Sequence, residues 1–396
     1  MKILIADKVS PKVVSALKAL GADVTLNADL TDATLPSALQ NAEILIVRST
    51  KVKAAAIEAA PSLSLIIRAG AGVNTIDLAK ASTRGICVAN CPGKNNDAVA
   101  ELAMGLILAA DRRIADASVA LRSGNWNKKE FGNARGLKGR TLGVAGLGNI
   151  GLALAKKAKG LEMEVAAWSR SLTPEKAKEA GIGFCASLLD LAAMSDVVSI
   201  HLAASADTNK LIGKEFFAKM KKGAIFVNTS RGEVVDTQAM KAAIAEKQLR
   251  VGLDVFENEP AGGEAPFADK ELAALIASGT PHIGASTDQA EEAIADEVIR
   301  IVKAYAETGK PLNAVNYRKK SPKVALVVRH YNHVGVLAGI LDLLRTEGIN
   351  IEEMENTIFE GEAAASCTLS LDHKPAEAVL ESIRKGENVI QVALKS

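Results

Sequence analysis

The chain has 396 residues, 48% hydrophobic and 24% charged, with a net charge of +2. At about 150 residues per domain it has room for two or three domains with ample core. The near balance of charge, with no dense run of Lys and Arg, argues against nucleic acid or an acidic membrane surface as the main partner.

The N-terminal "MKILIADK" is charged and then strand-like, without the apolar core of a signal peptide, and no uncharged run approaches spanning length; the cytoplasm is the expected location. Short Val/Ile/Leu runs then alternate with Ala-rich helical segments, the pattern of parallel sheets covered by helices. Strands are predicted at 2–7, 23–26, 44–48, 63–70 and 87–90, with amphipathic helices at 10–21 and 53–61 between them. A long helix is predicted over roughly 97–121. After it come a strand at "TLGVAG", a glycine turn, a helix to Lys159, and strands at "EVAAWSR", 197–202, 224–232 and 251–256. A second long helix is predicted from about Gln289 to Glu307. "KPLNAVNYRKKSPK" (310–323) reads as a Pro-interrupted linker, and the chain beyond it reads β-α-β-β-α-β, a small ferredoxin-like α+β module. The four cysteines, Cys87, Cys91, Cys185 and Cys367, lie in apolar stretches and read as buried thiols of a reducing compartment, with no metal site.

"GLGNIG" places Gly146, Gly148 and Gly151 between a predicted strand and a predicted helix. Gly146 permits the tight turn, Gly148 lets backbone approach a pyrophosphate, and Gly151 lets helix and strand pack closely; Asn149 and Ile150 open the helix whose N-terminus faces the phosphates. The next strand should end about 20 residues on in an acid that holds a ribose. It ends instead in Ser169 and Arg170, a pair that tolerates a 2′-phosphate, so NAD and NADP both stay open. Farther along, Arg231, Glu259 and His282 each sit at a predicted strand end. Reduction of a 2-oxo acid needs a cation to hold the carboxylate and polarise the carbonyl. It also needs an acid with a pKa near 7, which a carboxylate beside a histidine supplies.

With "HLAASADTNKLIG", "NTSRGEVVD", "DVFENEP" and "PHIGAST" coming after "GLGNIG" in that order, the chain resembles the D-isomer-specific 2-hydroxyacid dehydrogenases over nearly all of 1–318. The resemblance implies an α/β enzyme in which a Rossmann nucleotide domain (99–285) is inserted into a flavodoxin-like substrate domain (1–98 and 286–318). It implies catalysis by Arg231, Glu259 and His282, and NAD as cofactor. Asp254 matches a residue that holds the nicotinamide carboxamide, and Thr208, Ser230 and Gly284 fall in cofactor-contacting stretches; Ala203 stands where a proline is usual. The resemblance puts Arg48, Ser49 and Lys51 of "VRSTKV" at a substrate phosphate. It puts the N–H groups of Ala71, Gly72 and Val73 at the substrate carboxylate, and Asn95 or Asn96 beside substrate or cofactor. Chemically, the Arg–Ser–Thr–Lys run, Thr50 included, suits a phosphate dianion.

Residues 322–396 resemble an ACT domain. There His330, Asn332 and Asn350 match positions that bind L-serine, and Val334 replaces the usual proline before Gly335. The resemblance implies a serine-responsive homodimer or homotetramer. Two activities are expected within the family: oxidation of 3-phospho-D-glycerate to 3-phosphohydroxypyruvate, or reduction of glyoxylate or hydroxypyruvate. A non-catalytic NAD(H)-sensing scaffold is the third reading, against which the complete Arg–Glu–His set speaks.

Overall fold

A computed structural model describes residues 1–260, 264–318 and 324–395, in two compact units, Met1–Asn316 and Tyr317–Ser396. Residues 319–323 of the expected linker lie outside the described residues.

The first unit begins with five four-residue strands: β1 (Lys2–Ile5), β2 (Asp23–Leu26), β3 (Ile44–Val47), β4 (Leu65–Arg68) and β5 (Cys87–Asn90). They pair in parallel in the order β2-β1-β3-β4-β5, the flavodoxin-like arrangement. β3 is buried on both faces, which is why "ILIV" is continuously apolar instead of alternating. The chain then builds a second sheet from β6 (Thr141–Ala145), β7 (Glu164–Trp168), β8 (Gly183–Phe184), β9 (Val197–Ile200), β10 (Ile225–Asn228), β11 (Arg250–Leu253) and β12 (Ser278–Gly279). Its order is β12-β11-β10-β9-β6-β7-β8, all parallel. Strand order reverses at β6, so the crevice beyond the carboxyl ends of β6 and β9 is where an open sheet of this kind takes a ligand. β8 and β12, two residues each, are absent from the predicted strands; such short edge strands carry no periodicity.

The helix predicted over 97–121 is two helices, Asn96–Arg112 and Ile114–Arg122, broken at Arg113, whose φ is 50°. The break has a visible cause. Asp111 is buried, with its carboxylate on Arg140 Nη1 at 2.8 Å and on the Gly136 N–H at 3.1 Å, while Arg250 Nη1 donates to the Asp111 carbonyl at 2.7 Å. The last carbonyls are thus capped by arginine and the helix stops. The second long helix, Asp288–Thr308, starts on the Thr287 hydroxyl and ends at Gly309 in the left-handed region. Its Ile294, Ala295, Val298, Ile301 and Val302 pack into the core of the first sheet with Ile3, Ile5 and Ile46. The segment after it runs beside β5, where Val315 N–H donates to Val88 and Asn316 accepts from the Val88 N–H. The chain therefore returns to its first sheet.

The second unit contains β13 (Val324–Tyr331), a helix Val336–Thr346, β14 (Ile351–Ile358), β15 (Ala364–Leu371), a helix Glu377–Arg384 and β16 (Val389–Lys395). The antiparallel order β14-β15-β13-β16 is the expected ferredoxin-like sheet, its core built on Leu326, Val328, Leu344, Cys367 and Leu369. Cys91, Cys185 and Cys367 are buried free thiols and Cys87 is half-buried; burial pushes the Cys91 thiol up to about 12. Among the described residues no helix is long and apolar enough to cross a membrane.

Candidate active site

At the end of β6 the backbone turns at Gly146 with φ 100°, and a Cβ there would lie 2.4 Å from the His201 carbonyl oxygen. A Cβ on Gly151 would lie 2.3 Å from the Gly146 carbonyl oxygen, so the helix Asn149–Gly160 can approach β6 only without one. Around Gly148, the residue before that helix, the space is open. Each glycine thus has the surroundings its predicted part requires, and the helix N-terminus with Asn149 and Ile150 is free to face a diphosphate. These residues fit a dinucleotide. Ser169 and exposed Arg170 follow β7, Arg170 Nη1 lying 3.8 Å from Asp207 of the neighbouring turn. Thr208 belongs to that turn, but its hydroxyl is spent inside it: it donates to the Ala203 carbonyl at 2.7 Å and accepts from the Ser205 N–H at 2.8 Å. Likewise Ser230 Oγ donates to Asn228 Oδ1 at 2.8 Å.

Beyond β11 the chain is organised by one buried carboxylate. Asp254 accepts from Thr280 Oγ1 at 2.7 Å and from the N–H groups of Ile283 at 2.8 Å and Gly284 at 2.9 Å. The His282 N–H donates to the Asp254 carbonyl at 2.8 Å, and His282 itself has φ 54°. A non-glycine residue held in that region needs such over-determined surroundings. The loop presents the imidazole to Glu259: Nδ1 and Oε2 are 2.7 Å apart, while Oε1 accepts the Phe256 N–H at 3.0 Å. The bond from Glu259 raises the His282 pKa above the usual imidazole range against the opposing effect of burial. Burial pushes Glu259 up, but its bonds from His282 and Phe256 outweigh that and hold it below the usual carboxylate range. With Nδ1–H given to Glu259, Nε2 is the ring nitrogen left to exchange a proton.

Arg231 lies across from this pair, close enough to act on both charges. Its Nη1 donates to the Ser230 carbonyl at 2.6 Å, and its Nη2 would be 2.9 Å from a Cβ on Gly72. The loop of Ala71, Gly72 and Val73 therefore abuts the guanidinium, and none of its three N–H groups has a partner among the described residues. Successive free N–H groups beside an arginine form a carboxylate cradle. Asn95 Oδ1 is buried without a partner, and Asn96 Nδ2 lies against Gly93 near Asn149, so both asparagines sit where the glycine turn meets the long helix.

A cavity of about 1090 Å³ joins the two sheets' strand ends, its wall including Arg48, Ser49, Arg68, Glu259, His282 and Ser286. Arg68 is not among the residues the sequence singled out. It ends β4 with Nε buried and unpartnered; burial first, then repulsion from Arg231 and Arg48, lowers its pKa. Two guanidinium groups thus line one side of the cavity, and that of Arg231 is near enough to repel Arg68. The signal in the sequence was a lone charge closing the apolar run "LSLII". A second missed residue is His201 at the end of β9. Its Nδ1 is buried without a partner, Nε2 bonds Ser199 Oγ at 2.9 Å, and burial brings its pKa down to about 4, so it is neutral.

Two expectations are corrected at the turn after β3. Thr50 Oγ1 points inward to the Ala6 carbonyl at 3.2 Å and not toward the cavity. Lys51 is exposed and not among the cavity's lining residues, and it lowers the Asp32 pKa in smaller part than Lys53 does. In the C-terminal unit His330 is buried on the core side of β13, with Nδ1 on the Tyr331 carbonyl at 2.8 Å and Nε2 3.3 Å from Asn356. It faces the core because residues 326, 328 and 330 share one side of the strand. Asn332 donates to the Glu362 carbonyl at 3.0 Å. Since β13 and β14 both run antiparallel to β15, Asn350, just before β14, lies at the end where β13 begins, whereas Asn332 comes after the end of β13. One copy of the chain does not bring these amides together.

Residues 104–284 match the family model described as D-isomer specific 2-hydroxyacid dehydrogenase, NAD binding domain. The chain is 38% identical over 332 residues to D-3-phosphoglycerate dehydrogenase of Archaeoglobus fulgidus, covering 81% of this chain and 60% of that one. It is 41% identical over 273 residues to glyoxylate reductase of Thermococcus litoralis, covering 67% and 81%. Among solved structures it is similar to the TT0316 protein of Thermus thermophilus, with a TM-score of 0.71, 32% identity, and coverage of 80% of this chain and 100% of that one. The chain spans about three-fifths of the length of the archaeal phosphoglycerate dehydrogenases it matches. The chain belongs to the D-isomer specific 2-hydroxyacid dehydrogenase family.

Proposed function

We propose that this protein is a D-3-phosphoglycerate dehydrogenase, oxidising 3-phospho-D-glycerate to 3-phosphohydroxypyruvate with NAD at the entry to serine biosynthesis. The observation that carries this reading is that Arg48 and Arg68 line the cavity that holds the His282–Glu259 pair, with Arg231 close enough to act on Arg68, Glu259 and His282. A 2-hydroxy acid with one carboxylate needs one such cation; a second, doubly charged group uses the others. In this reading Arg231 and the N–H groups of residues 71–73 hold the carboxylate, and Arg48, Arg68 and Ser49 hold the phosphate. His282 Nε2 takes the hydroxyl proton, and Glu259 stabilises the imidazolium so formed. A bound NAD supplies hydride acceptance at the carbon that becomes the carbonyl. The glycine turn, Ser169, Arg170 and Asp254 hold that cofactor. Residues 1–98 with 286–318 act as substrate lobe and 99–285 as nucleotide lobe. The test compares turnover of 3-phosphohydroxypyruvate and hydroxypyruvate: a large preference for the phosphorylated substrate is expected, and equal kcat/KM removes the reading.

Reduction of glyoxylate or hydroxypyruvate is the second reading. Ser169 and Arg170 in place of a ribose-binding acid favour it, as does the 41% identity to a glyoxylate reductase. A preference for NADPH would support it. For residues 322–396 the proposal is binding of L-serine between two copies, Asn332 from one and Asn350 from the other, within a homodimer or homotetramer; buried His330 takes no part. Calorimetry of the full chain with L-serine tests it, and no heat of binding ends it.

A further inference from the structure

The turn after β3 binds anions twice over, and both are the protein's own carboxylates. Asp7 Oδ2 accepts from the backbone N–H of Arg48 at 2.7 Å and from those of Ser49 and Thr50 at 3.1 Å each. Glu291 Oε1 takes Nη1 of Arg48 at 2.8 Å. The two carboxylates are held very differently. Asp7 has three directed backbone donors, which its removal would orphan. Glu291 has one contact, to a side chain, and stands on the first turn of the helix Asp288–Thr308; its side chain is 44% exposed and that of Arg48 32%. An ion pair of this exposure shifts an equilibrium by only about 1.5- to 5-fold. Of the two carboxylates, Glu291 is the one that a ligand can displace.

We infer that Glu291 is a specificity-determining counter-ion: it holds Arg48 and competes with the substrate's tetrahedral dianion for that guanidinium. The inference rests on Arg48 meeting the substrate phosphate as proposed above. Glu291 offsets the charge of Arg48, one of the two guanidinium groups that repel Arg68. A phosphorylated substrate must displace it, and loses affinity by the strength of the pair. A 2-oxo acid anchored only on Arg231 and the 71–73 loop does not call on Arg48, so it is indifferent to Glu291. Selectivity for the dianion is therefore lower than three arginines alone would give.

The test is steady-state reduction of 3-phosphohydroxypyruvate and of hydroxypyruvate by wild type, Glu291→Gln and Glu291→Ala. Glutamine keeps the length and hydrogen-bonding capacity and removes the charge. Both variants should lower KM for the phosphorylated substrate about two- to five-fold at unchanged kcat, with hydroxypyruvate constants unmoved. A rise in that KM would make Glu291 a mere support for Arg48, and an equal change for both substrates would make it a general structural residue; either overturns the inference. If wild type shows no preference for the phosphorylated substrate, the proposed function fails by itself. Glu291 is then decided by inorganic phosphate as an inhibitor of hydroxypyruvate reduction: tighter inhibition in Glu291→Gln upholds it, and unchanged inhibition ends it.

Discussion

The two walls of the cavity are finished to different degrees. On the second-sheet side, Asp254 ties down the loop of His282, and Glu259 is bonded by both His282 and the Phe256 N–H. On the first-sheet side, Arg68 Nε has no partner among the described residues, Arg48 has one half-exposed carboxylate, and the N–H groups of residues 71–73 donate to nothing described. A wall whose groups satisfy each other is ordered at folding, before any substrate arrives. A wall of like charges is ordered against repulsion, which an anion relieves. The first wall should therefore answer to mutation in kcat, and the second in KM.

The comparison breaks outright if His282→Ala keeps its turnover. Loss of the proton-exchanging group should lower kcat about 10²- to 10⁴-fold, with cofactor binding, read by fluorescence titration, preserved. Asp254→Ala probes the same wall from beneath. It would orphan the Thr280 hydroxyl and the N–H groups of Ile283 and Gly284, each costing about 1–3 kcal/mol when buried, so unfolding stability should fall by at least roughly 3 kcal/mol in a denaturant titration. Unchanged stability with a raised KM for NAD would instead assign Asp254 to the cofactor alone.

On the opposite wall Arg68→Met should raise KM for the phosphorylated substrate about 10- to 100-fold, the worth of a charge-assisted bond, with kcat at saturation little changed. The same substitution removes a buried cation that Arg231 and Arg48 repel, so thermal stability without ligand should rise. Opposite signs in affinity and stability are the mark of a wall under electrostatic tension. A loss in both would mean that Arg68 is a packing residue.

What could be read beforehand divides along the same line. Gly146 and Gly151 have the close contacts that their spacing implied, because a glycine turn between strand and helix has one geometric solution. His282 and Glu259, singled out at two predicted strand ends, lie 2.7 Å apart, a pairing that the motifs suggest and no local pattern dictates. Arg68 was missed because an arginine at a strand end is ordinarily solvated, and only the fold brings Arg48 and Arg231 near enough to repel it. His330 was misplaced although alternation with Leu326 and Val328 already put it on the core face; the motif outweighed the periodicity. The break at Arg113 results from Asp111 meeting Arg140 and Arg250, partners 29 and 139 residues away, which no local pattern contains.

The smallest effect is also the most specific to the finished wall. Glu259 raises the His282 pKa, so in the wild type the protonated imidazole persists above the pH at which a free histidine loses its proton. Reduction of the 2-oxo acid needs that proton, and oxidation needs its absence. Glu259→Gln keeps a hydrogen bond to Nδ1 but removes the charge, so the His282 pKa should fall. The alkaline limb of the reduction profile then moves to lower pH, and the acid limb of oxidation moves the same way, leaving oxidation active in more acidic solution than in wild type. Both limbs must move together, because one proton on one nitrogen governs both directions. A shift confined to one direction would mean that a second titrating group shares the step, and neutral His201 at the end of β9 would be the first to replace.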